Sequence, residues 1–425
     1  MVIVLMGSDF STTGQKEDSD AVAGSVLVAE ELFSKSVIVT LGPGGIGKTT
    51  LSAALSMAAA KTGKRVCVIT IDPAKRLADA LGIADIDNTP KPIHGDWPGQ
   101  LDAVMLDASA TFDDLVKRYS KNQSQADSIL NNRLYANLTT TLAGTHEYMA
   151  AEKLFEIHSS GNYDLIVVDT PPSRHAIDFL DAPENLFAFL DNKIFRLITN
   201  PNRYLKAVSL ATQFLLKTVA KVAGAEIVED AVEFFRSFDG MEDGFRQRAM
   251  AVTGLLRSPK SSFILASAPQ KDVVIDTKFF VEALQDRSYQ IDAVVLNKLL
   301  PEFDTMCKYM ETKNYFSDGS QEEAHWKQLN LTDDTVITDR SEKLDRHGFI
   351  ENTHPGSAWA SHLINLRELS DAAQQQRKIV ADITQTAKVN NIFKIPLLEN
   401  DVHDIKALAI IADILLGEQL PLSHG

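Results

Sequence analysis

Residues 42–49 read GPGGIGKT, which satisfies the pattern G-x-x-x-x-G-K-[ST]. A phosphate group needs several amide N–H donors converging on it without side-chain obstruction. The glycines let the backbone wrap that closely, and the helix that follows adds a favourable dipole. The cradle comprises Gly42, Gly44, Gly45, Ile46 and Gly47, continued by Lys48, Thr49 and Thr50. Lys48 would neutralise the β- and γ-phosphates of ATP, and the Thr49 hydroxyl would ligate Mg²⁺. The second residue of the loop is Pro43, which carries no charge.

Three further polar residues close apolar runs. Asp72 ends "VCVITID", where a carboxylate can hold and orient a water attacking the γ-phosphate. An N-cap for a helix starting near Pro73 is the competing role. Asp169 ends "LIVVD", a Walker-B arrangement in which the carboxylate binds Mg²⁺ directly or through its water. Arg174 and His175 follow in a segment that reads as a switch loop, and either also suits an ordinary surface contact. Asn297 ends "VVLN"; its amide could meet the edge of a purine or simply form a turn.

These residues need a scaffold. Short apolar runs recur at Val37–Leu41, Val66–Ile71, Ala103–Leu106, Leu165–Val168, Phe263–Ala266 and Ala293–Leu296, with helical patterns between them. That alternation predicts an α/β fold, a doubly wound and mainly parallel sheet with ligands beyond the strands' carboxyl ends. Two stretches, 111–160 and 183–259, are too long for simple crossovers and read as a helical subdomain inserted over the site. Residues 1–35 read as an N-terminal extension and 36–425 as one ATPase domain. A polar insertion over about 301–391 begins loop-rich and becomes helical from Leu363 to Ala387.

The totals narrow the function. The 425 residues are 44% apolar and 23% charged, with a net charge of −15, which argues against general nucleic-acid binding and for a cytoplasmic protein. The N-terminus lacks a basic n-region, so no secretory leader is expected. No run reaches the roughly 18 uncharged apolar residues of a membrane span; the most hydrophobic, Ala207–Ala225, is broken by Lys217 and Lys221. Cys67 and Cys307 are the only cysteines, and no disulfide framework is in view.

In order along the chain, the loop, "IDPAKRLADALG", "EYMAAEKL", "DTPPSRHAIDFLDAP", "EFFRSFDGMEDGFRQRA", "VVLNKLLP" and "IPLLENDVHDIKAL" resemble the arsenite-transport ATPases and their eukaryotic relatives that target tail-anchored membrane proteins. The bacterial branch with DTPP-[ST]-RHA is most similar. The resemblance implies a P-loop ATPase of the deviant Walker A superfamily that hydrolyses Mg-ATP as a nucleotide-gated dimer. It also implies a helical subdomain whose surface follows the nucleotide. By position Asp72 matches the water-activating aspartate, Asp169 the magnesium-site aspartate and Asn297 the adenine contact, and Pro396 falls in the loop that closes over adenine. One phosphate loop per chain makes a homodimer, or a pair with a paralogue, the expected assembly.

Three departures qualify the resemblance. Members with the deviant loop carry a lysine where Pro43 stands, and that lysine reaches the partner's nucleotide. Arg174, or else Lys75 or Arg76, is the expected substitute, the alternative being none and slow turnover. The cysteines that bind arsenite are missing from both helical stretches, and the C-x-x-C zinc site of the eukaryotic factors is missing too. The expected uses are therefore an ATPase serving a membrane partner, peripheral at the membrane, a chaperone for hydrophobic client segments, or a nucleotide-bound scaffold with little turnover. Segment Lys193–Ala225, with six basic residues and no acidic one, is either a packed helix with solvated lysines or a client or membrane contact.

Overall fold

Val37–Leu41, in front of the glycine-rich loop, forms strand β1 and is buried along its whole length. In this computed structural model the described residues are 29–72, 76–83, 86–132, 135, 144–172, 175–191, 230, 233–234, 236–301, 355–398, 401–402 and 404–417. Arg174, Lys75 and the basic segment 193–225 lie outside them.

Helix α1 (Lys48–Lys61) follows β1, then β2 (Arg65–Thr70) and α2 (Arg76–Leu81). Next come β3 (Lys91–Ile93), β4 (Gln100–Met105), α3 (Ala108–Tyr119), α4 (Gln123–Leu130) and α5 (Thr145–Ser159). Strand β5 (Leu165–Asp169) leads into α6 (His175–Leu190), and α7 (Glu242–Leu256) precedes β6 (Ser261–Ser267). The remainder is α8 (Lys271–Asp286), β7 (Ile291–Leu299), α9 (Pro355–Ala387), β8 (Ile392–Pro396) and α10 (Ile405–Leu415).

The strands form one sheet in the order β3-β4-β2-β5-β1-β6-β7-β8. Every neighbouring pair is parallel except β3 with β4. The six expected strands are present, and two edge strands join them. Lys91–Ile93 is too short and interrupted by Pro92 to be recognised by periodicity, as suits an edge. Ile392–Pro396 follows a helical pattern with no turn glycine before it. Helix α9 also begins earlier than Leu363, at Pro355, a residue tolerated in the first turn of a helix.

Alternation along β1 places Val37, Val39 and Leu41 in one hydrophobic layer and Ile38 in the other, so both faces are covered. Helix α1 is buried nearly all round, because α10 crosses it on the side away from the sheet. Its alanines at 53, 54 and 58–60 permit that close approach, and Lys61 pairs with Asp413 of α10. Chain reversal at the centre of the sheet, with β5 on one side of β1 and β6 on the other, opens the crevice where such folds bind ligands.

Helices α5, α6 and α7 pack on one another beside the sheet. Helix α6 continues through Pro183, so the crossover after β5 runs past the expected start of the second insertion. Rings of Phe112, Tyr135, Phe234, Phe238 and Phe245 fill the space between α3 and α7. One ion pair is buried there: Arg248 Nε of α7 donates to both carboxylate oxygens of Glu152 on α5, at 2.6 and 2.8 Å. The same guanidinium stacks over Phe155, 4.1 Å from the ring centre. Removing one partner leaves the other charge buried alone. Arg248→Ala is therefore expected to destabilise the protein by about 3 kcal/mol, with Glu152→Gln/Arg248→Met recovering much of it, as chemical denaturation would measure.

Candidate active site

Asp169 is the last residue of β5, and register puts it in a row with two threonines. It lies opposite Thr40 of β1 and Thr70 of β2. Thr70 Oγ1 donates to Asp169 Oδ2 at 3.0 Å, and the Thr49 hydroxyl is a second donor to the carboxylate. Ser52 Oγ, tied to Thr40 Oγ1 at 2.7 Å, lies 3.5 Å from Oδ1. Asp169 is completely buried, and burial pushes its carboxyl up to about 6 against the pull of those hydroxyls and of Lys48.

Lys48 stands beside it, 6% exposed. Its Nζ donates to the carbonyls of Gly42 at 2.9 Å and Pro43 at 2.8 Å, so the cation supports the loop from within. Burial lowers the ammonium to about 8, opposed by the charges of Asp169 and Asp72. Two of its three donors are engaged by the loop, leaving one for a ligand.

The loop's glycines are steric requirements. A Cβ on Gly42, whose φ is +144°, would lie 2.3 Å from the carbonyl oxygen of Ala266 at the end of β6. One on Gly47, at φ +92°, would lie 2.7 Å from Asn297 Nδ2. Asn297 Nδ2 donates to Ile46 O at 2.7 Å, and its Oδ1 accepts from Lys298 N at 2.9 Å. Both polar ends of Asn297 are thus engaged by protein, and it braces the loop. Pro396 ends β8, half-buried and in register with Leu299.

A cleft of about 410 Å³ opens above the loop. Gly45, Gly47, Lys48, Thr49 and Thr50 line its floor, and Asp72 and Arg76 line a wall. Arg76 NH1 lies 3.3 Å from Asp72 Oδ2. Thr170 and Pro172 enter from the segment after Asp169, and a Cβ on Gly44 would touch Pro172 at 3.4 Å. His175 Nδ1 sits 3.6 Å from Glu147 Oε1 and 3.4 Å from Asp178 Oδ2, an exposed contact at the start of α6. The structure therefore brings Lys48, Thr49, Asp72 and Asp169 together, with Asn297 behind the loop and Pro396 at the sheet edge.

Thr70, Thr170, Asp79 and Val402 were not singled out from the sequence. Thr70 carried a usable signal, since it shares the carboxyl end of its strand with Asp72. Val402 carried none, because only the return of the chain from β8 brings it to the cleft.

The donor set around Asp169 is all oxygen, hydroxyl and carboxylate, which suits a hard divalent ion such as Mg²⁺ rather than a thiophilic one. Cys67, the cysteine among the described residues, is buried inside β2.

A family model described as "Anion-transporting ATPase" matches residues 35–324. The putative arsenical pump-driving ATPase 1 of Aquifex aeolicus is 22% identical over 394 residues, covering 91% of this chain and 80% of that protein. The ATPase ASNA1 homolog 1 of Paramecium tetraurelia is 28% identical over 270 residues, 63% of this chain and 75% of its own length. The ATPase get3 of Schizosaccharomyces japonicus is 25% identical over 271 residues, with the same coverage.

A carboxyl raised by burial binds its proton more tightly in the folded than in the unfolded chain. Its contribution to stability is then greatest below pH 4 and is lost as pH rises through about 6. Asp169→Asn removes that loss while keeping an acceptor for the hydroxyls. It should raise the stability of the nucleotide-free protein at pH 7.5 by up to about 3 kcal/mol and leave it unchanged near pH 4, read as shifts in thermal midpoint.

Proposed function

The chain belongs to the anion-transporting ATPase family, and from that premise we propose that this cleft binds Mg-ATP and hydrolyses it to ADP and phosphate. One observation carries the assignment: Lys48, Thr49 and Asp72 line a single cleft whose floor is the glycine loop, and the buried Asp169 carboxylate lies directly beneath, hydrogen-bonded to the Thr49 hydroxyl. The amides of Gly45, Gly47, Lys48, Thr49 and Thr50 receive the phosphates, and the free donor of Lys48 faces their terminal oxygens. Thr49 and Asp169 would hold the magnesium ion, which when bound neutralises charge on the β- and γ-phosphates. Asp72 orients a water against the γ-phosphorus; as the new P–O bond forms, the bond to ADP breaks and ADP departs. Arg76, held by Asp72, is placed to offset the negative charge that develops, with Arg174 as the second cation compared with it.

The nucleotide state reaches the rest of the protein through the segment after Asp169. Thr170 Oγ1 donates to Thr40 O at 2.6 Å, Pro172 abuts Gly44, and α6 begins three residues later. A displaced Pro172 would carry α6 together with α5 and α7, altering how the helical surface is offered to a membrane partner or a hydrophobic client. A two-site dimer is the assembly proposed for that cycle. Among the described residues no helix is long and apolar enough to cross a membrane.

Purified protein should turn over ATP only with Mg²⁺. Lys48→Ala should abolish turnover, and Asp72→Asn should lower kcat by about 10²–10³-fold with little change in ATP affinity. ATP binding without turnover in the wild type would instead support the scaffold reading.

Asp169 must be ionised and Lys48 protonated for the free site to accept Mg-ATP. The profile of kcat/KM should therefore rise as pH passes about 6 and fall above about 8. A profile flat between pH 5 and 9 would separate these two groups from binding.

A further inference from the structure

Three neighbouring strands end alike. Ile38 of β1, Val66 and Val68 of β2, and Leu165 and Val167 of β5 share one apolar layer with α1. Two residues further along each strand, on the same face, stand Thr40, Thr70 and Asp169. All three are buried. The pattern along β2 calls for a third valine at position 70, and threonine has valine's shape with a hydroxyl in place of one methyl. A hydroxyl in such a layer costs free energy unless it is hydrogen-bonded. It has one proton to give, and Thr70 gives it to Asp169 Oδ2 at 3.0 Å.

That bond divides the carboxylate between two neighbours. Oδ2 is taken by β2. Oδ1 lies on the side of α1, 3.5 Å from Ser52 Oγ, which is long for a hydrogen bond and leaves this oxygen lightly held. Ser52 is itself tied to Lys48 O at 2.9 Å, and Thr49 follows Lys48 in the first turn of α1. The carboxylate is thus fixed with one oxygen toward the helix that carries Thr49. Without the Thr70 bond it would be less constrained about its Cβ–Cγ bond. Mg²⁺ tolerates little departure from octahedral geometry, so the orientation of a carboxylate ligand matters to it.

We propose that Thr70 is a positioning residue for magnesium, holding Oδ2 of Asp169 so that Oδ1 is left for the ion. This rests on the reading of the cleft as a Mg-ATP site. A threonine that only satisfied a buried carboxylate would affect nucleotide binding alike with and without the metal. A positioning residue acts where the ion is present.

The test compares full-length wild type with Thr70→Val, Thr70→Ala and Thr70→Ser. Calorimetry measures the affinity for a non-hydrolysable ATP analogue in chelator and across a Mg²⁺ titration, beside thermal midpoints that show each variant to be folded. Valine keeps the shape without the proton; alanine leaves room beside the carboxylate and gives the same comparison where the valine variant does not fold. Expected in both is a Mg²⁺ concentration for half-maximal effect raised by about tenfold or more. Their affinity in chelator should stay within about twofold of wild type, and Thr70→Ser should titrate with Mg²⁺ much as wild type does. A wild-type Mg²⁺ response in the valine and alanine variants, or an equal loss of affinity with and without Mg²⁺, would overturn the role of Thr70 while leaving the ATP site standing. A wild-type protein that bound the analogue with no response to Mg²⁺ would overturn the magnesium roles of Asp169 and Thr70 together. One that did not bind the analogue at all would overturn the ATP site as well.

Discussion

One dry site has to hold a carboxylate and an ammonium together, and the surrounding structure is arranged to make that tolerable. Burial pushes Asp169 up to about 6 and draws Lys48 down to about 8, while each charge favours ionisation of the other. Each charge offsets part of what burial costs the other. The compensation comes from strand register: β2, β5 and β1 lie side by side, so Thr70, Asp169 and Thr40 fall in one row. Thr70 donates to the carboxylate, and Thr40 holds Ser52, which closes its other side. A slip of one residue in β5 would turn Asp169 to the other face of the sheet and disperse the arrangement.

The same requirement shapes the glycine loop. A loop that is to receive phosphate must present N–H groups toward the cleft, which turns several of its carbonyls toward protein. Lys48 takes those of Gly42 and Pro43, Asn297 takes that of Ile46, and Lys298 takes that of Gly45. The cradle is thus held open before any ligand arrives, which lowers the ordering cost of binding. It also explains why Gly42 and Gly47 admit no side chain. Their immediate neighbours are the Ala266 carbonyl and the Asn297 amide that hold the loop in place.

Much of this could be read from the sequence, because the decisive signals are local. A β-branched run ending in G-x-x-x-x-G-K-[ST] specifies strand, loop and helix at once, and apolar runs ending in Asp72 and Asp169 place two carboxylates at strand ends. What escaped was non-local. Strand β3 is three residues long and pairs antiparallel at an edge, leaving no periodic trace. Asn297 read as either a purine contact or a turn former; only the fold reveals that Ile46 lies 2.7 Å from its amide. Lys298 gave no signal, since its meaning depends on a left-handed turn and on a loop more than 250 residues away in the chain.

The path from the cleft to the helices is short in sequence. Asp169 closes β5, the backbone passes through Thr170 and Pro172 against the loop, and α6 starts at His175. Helix α6 packs on both α5 and α7, and those two are locked by the buried Glu152–Arg248 pair with Phe155 beneath it. Separating α5 from α7 would strand a charge in an apolar layer, so small forces at Pro172 are borne more readily by moving the three helices together than by parting them. A displacement at the loop would therefore reach α5, α6 and α7 as a unit. A loosely packed body would absorb the same displacement locally.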